Sequence, residues 1–269
     1  MITLPPAFAF SQSSLQDFVE CPRRFQLRHV MDQAWPAPAA EPLQSAEEAA
    51  EQGRRFHLLM ERYWSGAPLP PIDPLLSRWW ETFEQSPPPA LPEGVRRPEV
   101  SLTTRLLDQR FTATFDLLAY DPQGEAAIVD WKTSRARPRH ILDRRLQTVV
   151  YPLMLVEASP GLLGRQLEPE QVRLIYWFAE GGTMEIFRYS LARYEDDKRY
   201  LASILHQLMT LEVGTFPLTA NERLCGLCQY RSLCGRGIKA GIIGEDEEAF
   251  PDVEELRGVL SQAGEEYVL

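Results

Sequence analysis

Hydrophobic and polar positions alternate from Phe111 to Tyr120, and a second apolar run, Ala126 to Thr133, follows across Asp121, Pro122, Gln123 and Gly124. Alternation with period two marks strands and the cluster between them is turn-forming, so the stretch predicts a β-hairpin. On its second strand the same period sends Asp130 and Lys132 to one face and Trp131 to the other. Asp116, on the first strand, can sit beside them. Glu99 to Leu107 alternates in the same way and predicts a further strand pairing with the hairpin, and Val172 to Ala179 and Met184 to Tyr189 predict two more around Gly181-Gly182.

Elsewhere the apolar spacing is helical. Ser11 to Val30 carries Leu15, Phe18, Val19, Phe25 and Leu27 at helical intervals, with Ser13 or Ser14 as N-cap and Pro22 as an interruption or restart. A Pro-, Ala- and Glu-rich loop from Asp32 gives way to a helix from about Ser45, running through Gly53, Phe56, His57, Leu59, Met60 and Tyr63. Proline-rich loops at Pro68 to Pro74 and Pro87 to Pro92 flank a helix at about 75 to 85, whose Trp79 and Trp80 read as packing residues. A helix at roughly 139 to 157 places Gln147 and Tyr151, four apart, on one face, and Pro152 predicts a kink beside Tyr151. Glu195 to Glu212 reads as a long amphipathic helix, and the acidic stretch beyond about 240 as a peripheral helix or mobile tail.

Composition narrows the function. With 269 residues and 44% hydrophobic content the chain can fill a sizeable core. Its uninterrupted apolar runs fall short of the roughly 18 residues of a membrane span, and MITLPPAFAFSQSS lacks the basic and long apolar regions of a secretory leader. The expectation is a cytoplasmic protein without a membrane segment. A formal net charge of −10 speaks against a charge-driven nucleic-acid coat. The distribution changes the picture: Arg135, Arg137, Arg139, Arg144 and Arg145 crowd the segment after Lys132, while acid concentrates at Glu41 to Glu51 and Glu245 to Glu266. These arginines form either a local basic funnel for a polyanionic substrate or an ordinary solvated loop.

Asp116, Asp130 and Lys132 together suit hydrolysis of a phosphodiester. A hard divalent cation such as Mg²⁺ prefers carboxylate oxygens, and a nearby ammonium can orient an attacking water. The plain alternative is an Asp130–Lys132 surface ion pair with Asp116 at a strand end. The chain's four cysteines are Cys21 and a C-x2-C-x5-C set, Cys225, Cys228 and Cys234. Disulfides are rare in the cytoplasm, so a thiolate metal site is the economical account, with Zn²⁺ and an iron-sulfur cluster both satisfied by four thiolates.

Asp116, the Asp130-Trp131-Lys132 triplet and Gln147-Thr148-Val149-Val150-Tyr151 resemble, in order and spacing, the motifs of the PD-(D/E)xK nuclease superfamily, specifically its RecB-like branch, which includes the CRISPR-associated iron-sulfur exonucleases. Phe115 stands where the family name has proline, and Asp130 where glutamate is more frequent. The resemblance implies an α/β, restriction-endonuclease-like fold, a mixed central sheet flanked by helices. It implies a single domain over 1–269: a core at about 45–215, an iron-sulfur lobe at about 11–30 plus 216–240, and an acidic tail at about 241–269. His57, at the G-x-x-x-H position, would join Asp116, Asp130 and the backbone carbonyl of Trp131 in holding Mg²⁺ or Mn²⁺. Lys132, Gln147 and Tyr151 would serve the reaction, and Glu99 matches an accessory glutamate. Cys21, Cys225, Cys228 and Cys234 would hold a structural [4Fe-4S] cluster. The implied activity is a DNA nuclease, an exonuclease preferring single strands or DNA ends, in repair, recombination or CRISPR-type processing beside a helicase or CRISPR partner. A reading from another class is a non-catalytic DNA-binding or assembly subunit of a helicase-nuclease-like complex.

Overall fold

The computed structural model describes residues 4–34, 41–70, 72–88, 91–212, 214–226 and 228–237. The acidic stretch at 241–269 and part of the loop before the first long helix lie outside them. The described residues fall into two compact units, one drawn from 1–8, 13–52 and 203–269, the other from 9–12 and 53–202.

The second unit is built on a five-stranded sheet in the order β1-β2-β3-β4-β5, formed by β1 (Val95–Leu106), β2 (Gln109–Tyr120), β3 (Ala126–Lys132), β4 (Val172–Phe178) and β5 (Thr183–Arg188). All pairs are antiparallel except β3 with β4, so the sheet is mixed. That parallel pair needs a crossover, and the helix α6 (Leu146–Leu163) supplies it. Every residue of β3 is buried, as expected for a central strand covered on both faces.

One face of the sheet packs its Leu117, Val129, Trp131, Ile175 and Trp177 against Phe56, Leu59 and Met60 of α3 (Glu41–Trp64) and Leu76, Trp79 and Phe83 of α4 (Pro74–Gln85). Trp79 is therefore a core residue, as its helical spacing predicts. The opposite face is covered by α6, buried continuously from Leu146 to Val156 and packed on β1, β2 and β4. This helix is long and apolar enough by length and composition to cross a membrane, yet 67% of it is buried inside the protein, and here it is a core helix.

The helix predicted over 139 to 157 is divided. A short α5 (Arg139–Leu142) ends before Arg145, whose extended backbone (φ −68°, ψ 139°) starts α6. The break is held open by Arg193 of α7 (Leu191–Met209), which donates to the Asp143 side chain at 2.8 Å and to its carbonyl at 3.0 Å. The Thr148 hydroxyl donates to the Leu142 carbonyl at 2.5 Å. Helix α6 then runs on through Pro152 and Pro160 and ends at Gly164, whose φ of +72° suits a residue without Cβ.

In the first unit, α1 (Gln12–Glu20) begins one residue ahead of Ser13, so Ser13 and Ser14 lie inside its first turn rather than at the cap. Cys21 is extended (φ −157°, ψ 100°), and α2 (Pro22–Phe25) restarts with proline in its first turn, where a missing N–H costs nothing. The chain continues through a π-helical turn at Gln26–Val30. The Gln26 side chain ties this segment to the other end of the chain, donating to the Gly214 carbonyl and accepting from the Phe216 N–H at 3.0 Å. Beneath it, Asp17 is buried between Arg24 (2.7 Å), Arg28 (2.7 Å) and His29 (2.9 Å).

Candidate active site and cysteine site

Strands β2 and β3 pair from Leu117↔Val129 to Tyr120↔Ala126. Past that point the ladder is continued by a side chain: the Trp131 N–H donates to Asp116 Oδ2 at 2.8 Å. Asp116 is thereby anchored by one oxygen while Oδ1 lies 3.3 Å from His57 Nδ1. His57 is buried on α3, one turn after Gly53. A Cβ at Gly53 would sit 3.4 Å from the Thr133 hydroxyl, so the small residue lets this turn of helix lie against the end of β3.

Glu99 completes the group. The register Pro98↔Leu117 and Val100↔Phe115 sets Glu99 opposite Asp116. Its φ of +48°, unusual for a side chain other than glycine and here within a strand, marks a backbone held in an unfavourable conformation. The ligand atoms of His57, Glu99 and Asp116 all lie within 4.8 Å of one another. Two carboxylates facing each other across a ladder repel, and hard oxygens with one imidazole are a donor set that suits a divalent cation. The residues present fit such an ion.

Asp130 and Lys132 project from β3 on the face toward α6, and each is only 3% exposed. Lys132 Nζ lies 2.7 Å from Asp130 Oδ2, while the Gln147 amide donates to Asp130 Oδ1. Asp130 is thus engaged by Lys132 and Gln147, and the carboxylate that meets His57 and Asp116 is that of Glu99. The pair is buried, unlike a surface ion pair. Burial, then the Asp130 and Asp116 carboxylates, push the Tyr151 phenol well above its ordinary range, so it stays protonated. Its ring stands 5.0 Å from that of Phe115.

The five arginines differ in surroundings. Arg135 and Arg144 are exposed and Arg137 half-buried. Arg139 is paired with Glu185 at 2.8 Å and lies 4.2 Å over the Phe187 ring, and Arg145 is buried at the start of α6. Tyr176, which sequence reasoning passed over as an apolar strand residue, lies directly across from Asp130 in the β3–β4 register. Periodicity shows that Tyr176 is buried; only the pairing shows beside what.

In the first unit all four cysteines are free thiols, Cys21 buried and the others half-buried. Burial raises Cys225, and after it Cys228, Cys21 and Cys234 raise it further. Arg24 opposes the rise at Cys225 and Cys228, and Arg23 opposes it at Cys234. Four soft donors beside two guanidinium groups suit a metal group whose thiolates carry negative charge.

The profile of the PD-(D/E)XK nuclease superfamily matches residues 9–235. Among solved structures the chain is similar to a "Putative exonuclease" from Eubacterium rectale, with a TM-score of 0.54 at 11% identity over 88% of this chain and 91% of that one, a likeness that speaks for the fold alone. The structure of SSO0001 aligns over 86% of this chain and 88% of its own with a TM-score of 0.41 and 14% identity, too low to carry an argument. A search of curated proteins returns no match.

Proposed function

Because this chain belongs to the PD-(D/E)XK nuclease superfamily, we propose that it is a divalent-metal-dependent deoxyribonuclease, an exonuclease of the RecB-like branch acting on single strands or DNA ends. The observation that carries the reading is the meeting of His57, Glu99 and Asp116 within 4.8 Å. Beside it stands the buried Asp130–Lys132–Gln147 set. His57, Glu99 and Asp116 would hold Mg²⁺ or Mn²⁺, and Asp130 and the Trp131 carbonyl are the further ligands that the family resemblance implies. Bound there, such an ion would supply Lewis acidity toward a phosphoryl oxygen and make a water more readily deprotonated. The Lys132 ammonium is aimed by Asp130 and steadies the negative charge that develops on the phosphoryl group. Gln147 fixes Asp130 on its other oxygen, and Tyr151, one helical turn on, offers its protonated hydroxyl as a donor to a phosphate oxygen. Arg135, Arg137 and Arg144 guide the polyanion, while Arg139 and Arg145 shape the segment that carries them.

Cys21, Cys225, Cys228 and Cys234 hold a structural [4Fe-4S] cluster in this reading, supported by their gathering from both ends of the chain into one compact unit and by Arg23 and Arg24, which oppose the rise of their thiol pKa values. The family's work in repair, recombination or CRISPR-type processing, beside a helicase-like partner, is the expected setting. The test is an anaerobic preparation incubated with end-labelled single-stranded and duplex oligonucleotides in Mn²⁺ or in EDTA. Cleavage of single strands in Mn²⁺, abolished by EDTA, Asp130→Ala or Lys132→Ala, is expected from a brown, iron-containing protein. Metal-independent binding without cleavage would favour the non-catalytic subunit, and colourless protein with stoichiometric zinc would overturn the cluster.

A further inference from the structure

The strand pairing that sets Tyr176 across from Asp130 also sets it under Lys132: the ammonium lies 5.7 Å from the ring centroid, within the range of a cation–π contact. Tyr176 is fully buried, and its hydroxyl is 2.9 Å from Thr148 Oγ1. A threonine hydroxyl has one proton, and that of Thr148 is given to the Leu142 carbonyl at 2.5 Å. The Tyr176 O–H is therefore the donor and Thr148 the acceptor. Burial, and after it the Asp130 carboxylate, push the phenol well above its ordinary range, so this proton stays in place.

Thr148 follows Gln147, and the bond it makes to Leu142 closes the first turn of α6 across the break after α5. The two groups that hold Asp130 are thus each steadied by one end of the same bond. The Lys132 ammonium lies over the ring of Tyr176, and the Gln147 amide leaves the backbone next to Thr148. Phe178, tilted at 38° with its centroid at 6.5 Å, and Phe187, edge-to-face at 5.9 Å, pack against the same ring.

We propose that Tyr176 and Thr148 form one positioning unit, in which the tyrosine hydroxyl bonded to the threonine, and the tyrosine ring beneath the lysine, together hold Lys132 and Gln147 in register on Asp130. Neither residue touches the substrate in this proposal. It rests on the nuclease reading for its kinetic consequence, but the geometry can be tested without catalysis.

The experiment compares Tyr176→Phe, Tyr176→Leu, Thr148→Val, Thr148→Ser and the Tyr176→Phe/Thr148→Val double variant. Two readouts are used: Mn²⁺-dependent cleavage of a labelled single strand, and the NMR resonances of the Gln147 side-chain amide and the Lys132 ammonium in metal-free protein. Losing the Tyr176–Thr148 bond should lower kcat about tenfold in Tyr176→Phe with KM little changed; Thr148→Val also loses the bond to Leu142 and should fall at least as far, and the double variant should match Thr148→Val, since the shared bond can be lost only once. Thr148→Ser should restore the parent rate, and Tyr176→Leu, which also loses the ring, should fall further. The Gln147 amide should shift in Thr148→Val and the Lys132 ammonium in Tyr176→Leu. Multiplicative losses in the double variant, losses that follow thermal stability instead of kcat, or unshifted Gln147 and Lys132 resonances would overturn the proposal. If the parent protein cleaves nothing, the nuclease reading fails while the resonances still decide whether the unit positions these groups.

Discussion

Asp116 accepts the backbone N–H of Trp131 at 2.8 Å, so a side-chain carboxylate takes the place of a ladder carbonyl where β2 and β3 part. One oxygen is used by the fold and the other is left facing His57. Asp116→Asn keeps an oxygen acceptor for Trp131 and removes the charge. The expected outcome is an unchanged or slightly raised melting temperature, as repulsion with Glu99 is relieved, and a loss of cleavage of about a hundredfold or more. Melting curves in EDTA and cleavage rates in Mn²⁺ check the two halves separately.

Glu99 separates strain from binding. Glycine takes up a φ of +48° freely, so Glu99→Gly should hold or gain stability in EDTA, by up to about 1 kcal/mol. The same change should weaken Mn²⁺ binding about tenfold or more, read as a smaller melting shift on adding the metal. A variant that binds Mn²⁺ as the parent does removes Glu99 from the proposed ligands.

The Asp130–Lys132 pair is buried on both sides. Lys132→Met leaves the Asp130 carboxylate without its ammonium, and the expected cost is about 3–5 kcal/mol in urea unfolding. Asp130→Asn added to Lys132→Met should return part of it, because the buried charge is gone. Neither variant should recover cleavage.

The proposed cluster predicts visible absorption and bound iron that Cys228→Ser removes, with destabilisation of the first unit, because metal binding that joins distant cysteines is folding free energy. Asp130→Ala should leave that absorption intact. Limited proteolysis of the two variants distinguishes a loss of the cluster from a loss of chemistry.

Asp17 gives the first unit an acid dependence. Burial alone would raise its pKa, but Arg24, His29 and Arg28 outweigh burial and lower it from 3.8 to about 2. A carboxyl lowered in the folded state contributes stability above its unfolded value, near pH 4, and loses it as pH falls through about 2. The contribution is about 2 kcal/mol, absent from Asp17→Asn. Urea midpoints of both proteins between pH 5 and the lowest accessible pH measure the difference in slope.

What the linear order of residues determined is local. Alternation at 111–120 and the apolar run at 126–133 set the strands, the second of which ends at Lys132, Asp121 to Gly124 set the turn, and period two placed Asp130 and Lys132 on one face. The placement of His57 with Asp116 came from motif order. What tertiary structure decided is pairing between strands and helices far apart in the chain. The register of β1 with β2 brought Glu99 opposite Asp116, β3 with β4 brought Tyr176 beneath Lys132, and Arg193 of α7 held open the break between α5 and α6. Side-chain periodicity follows from bonds along one strand, whereas register follows from which faces can be buried together. That choice is made by the whole core at once.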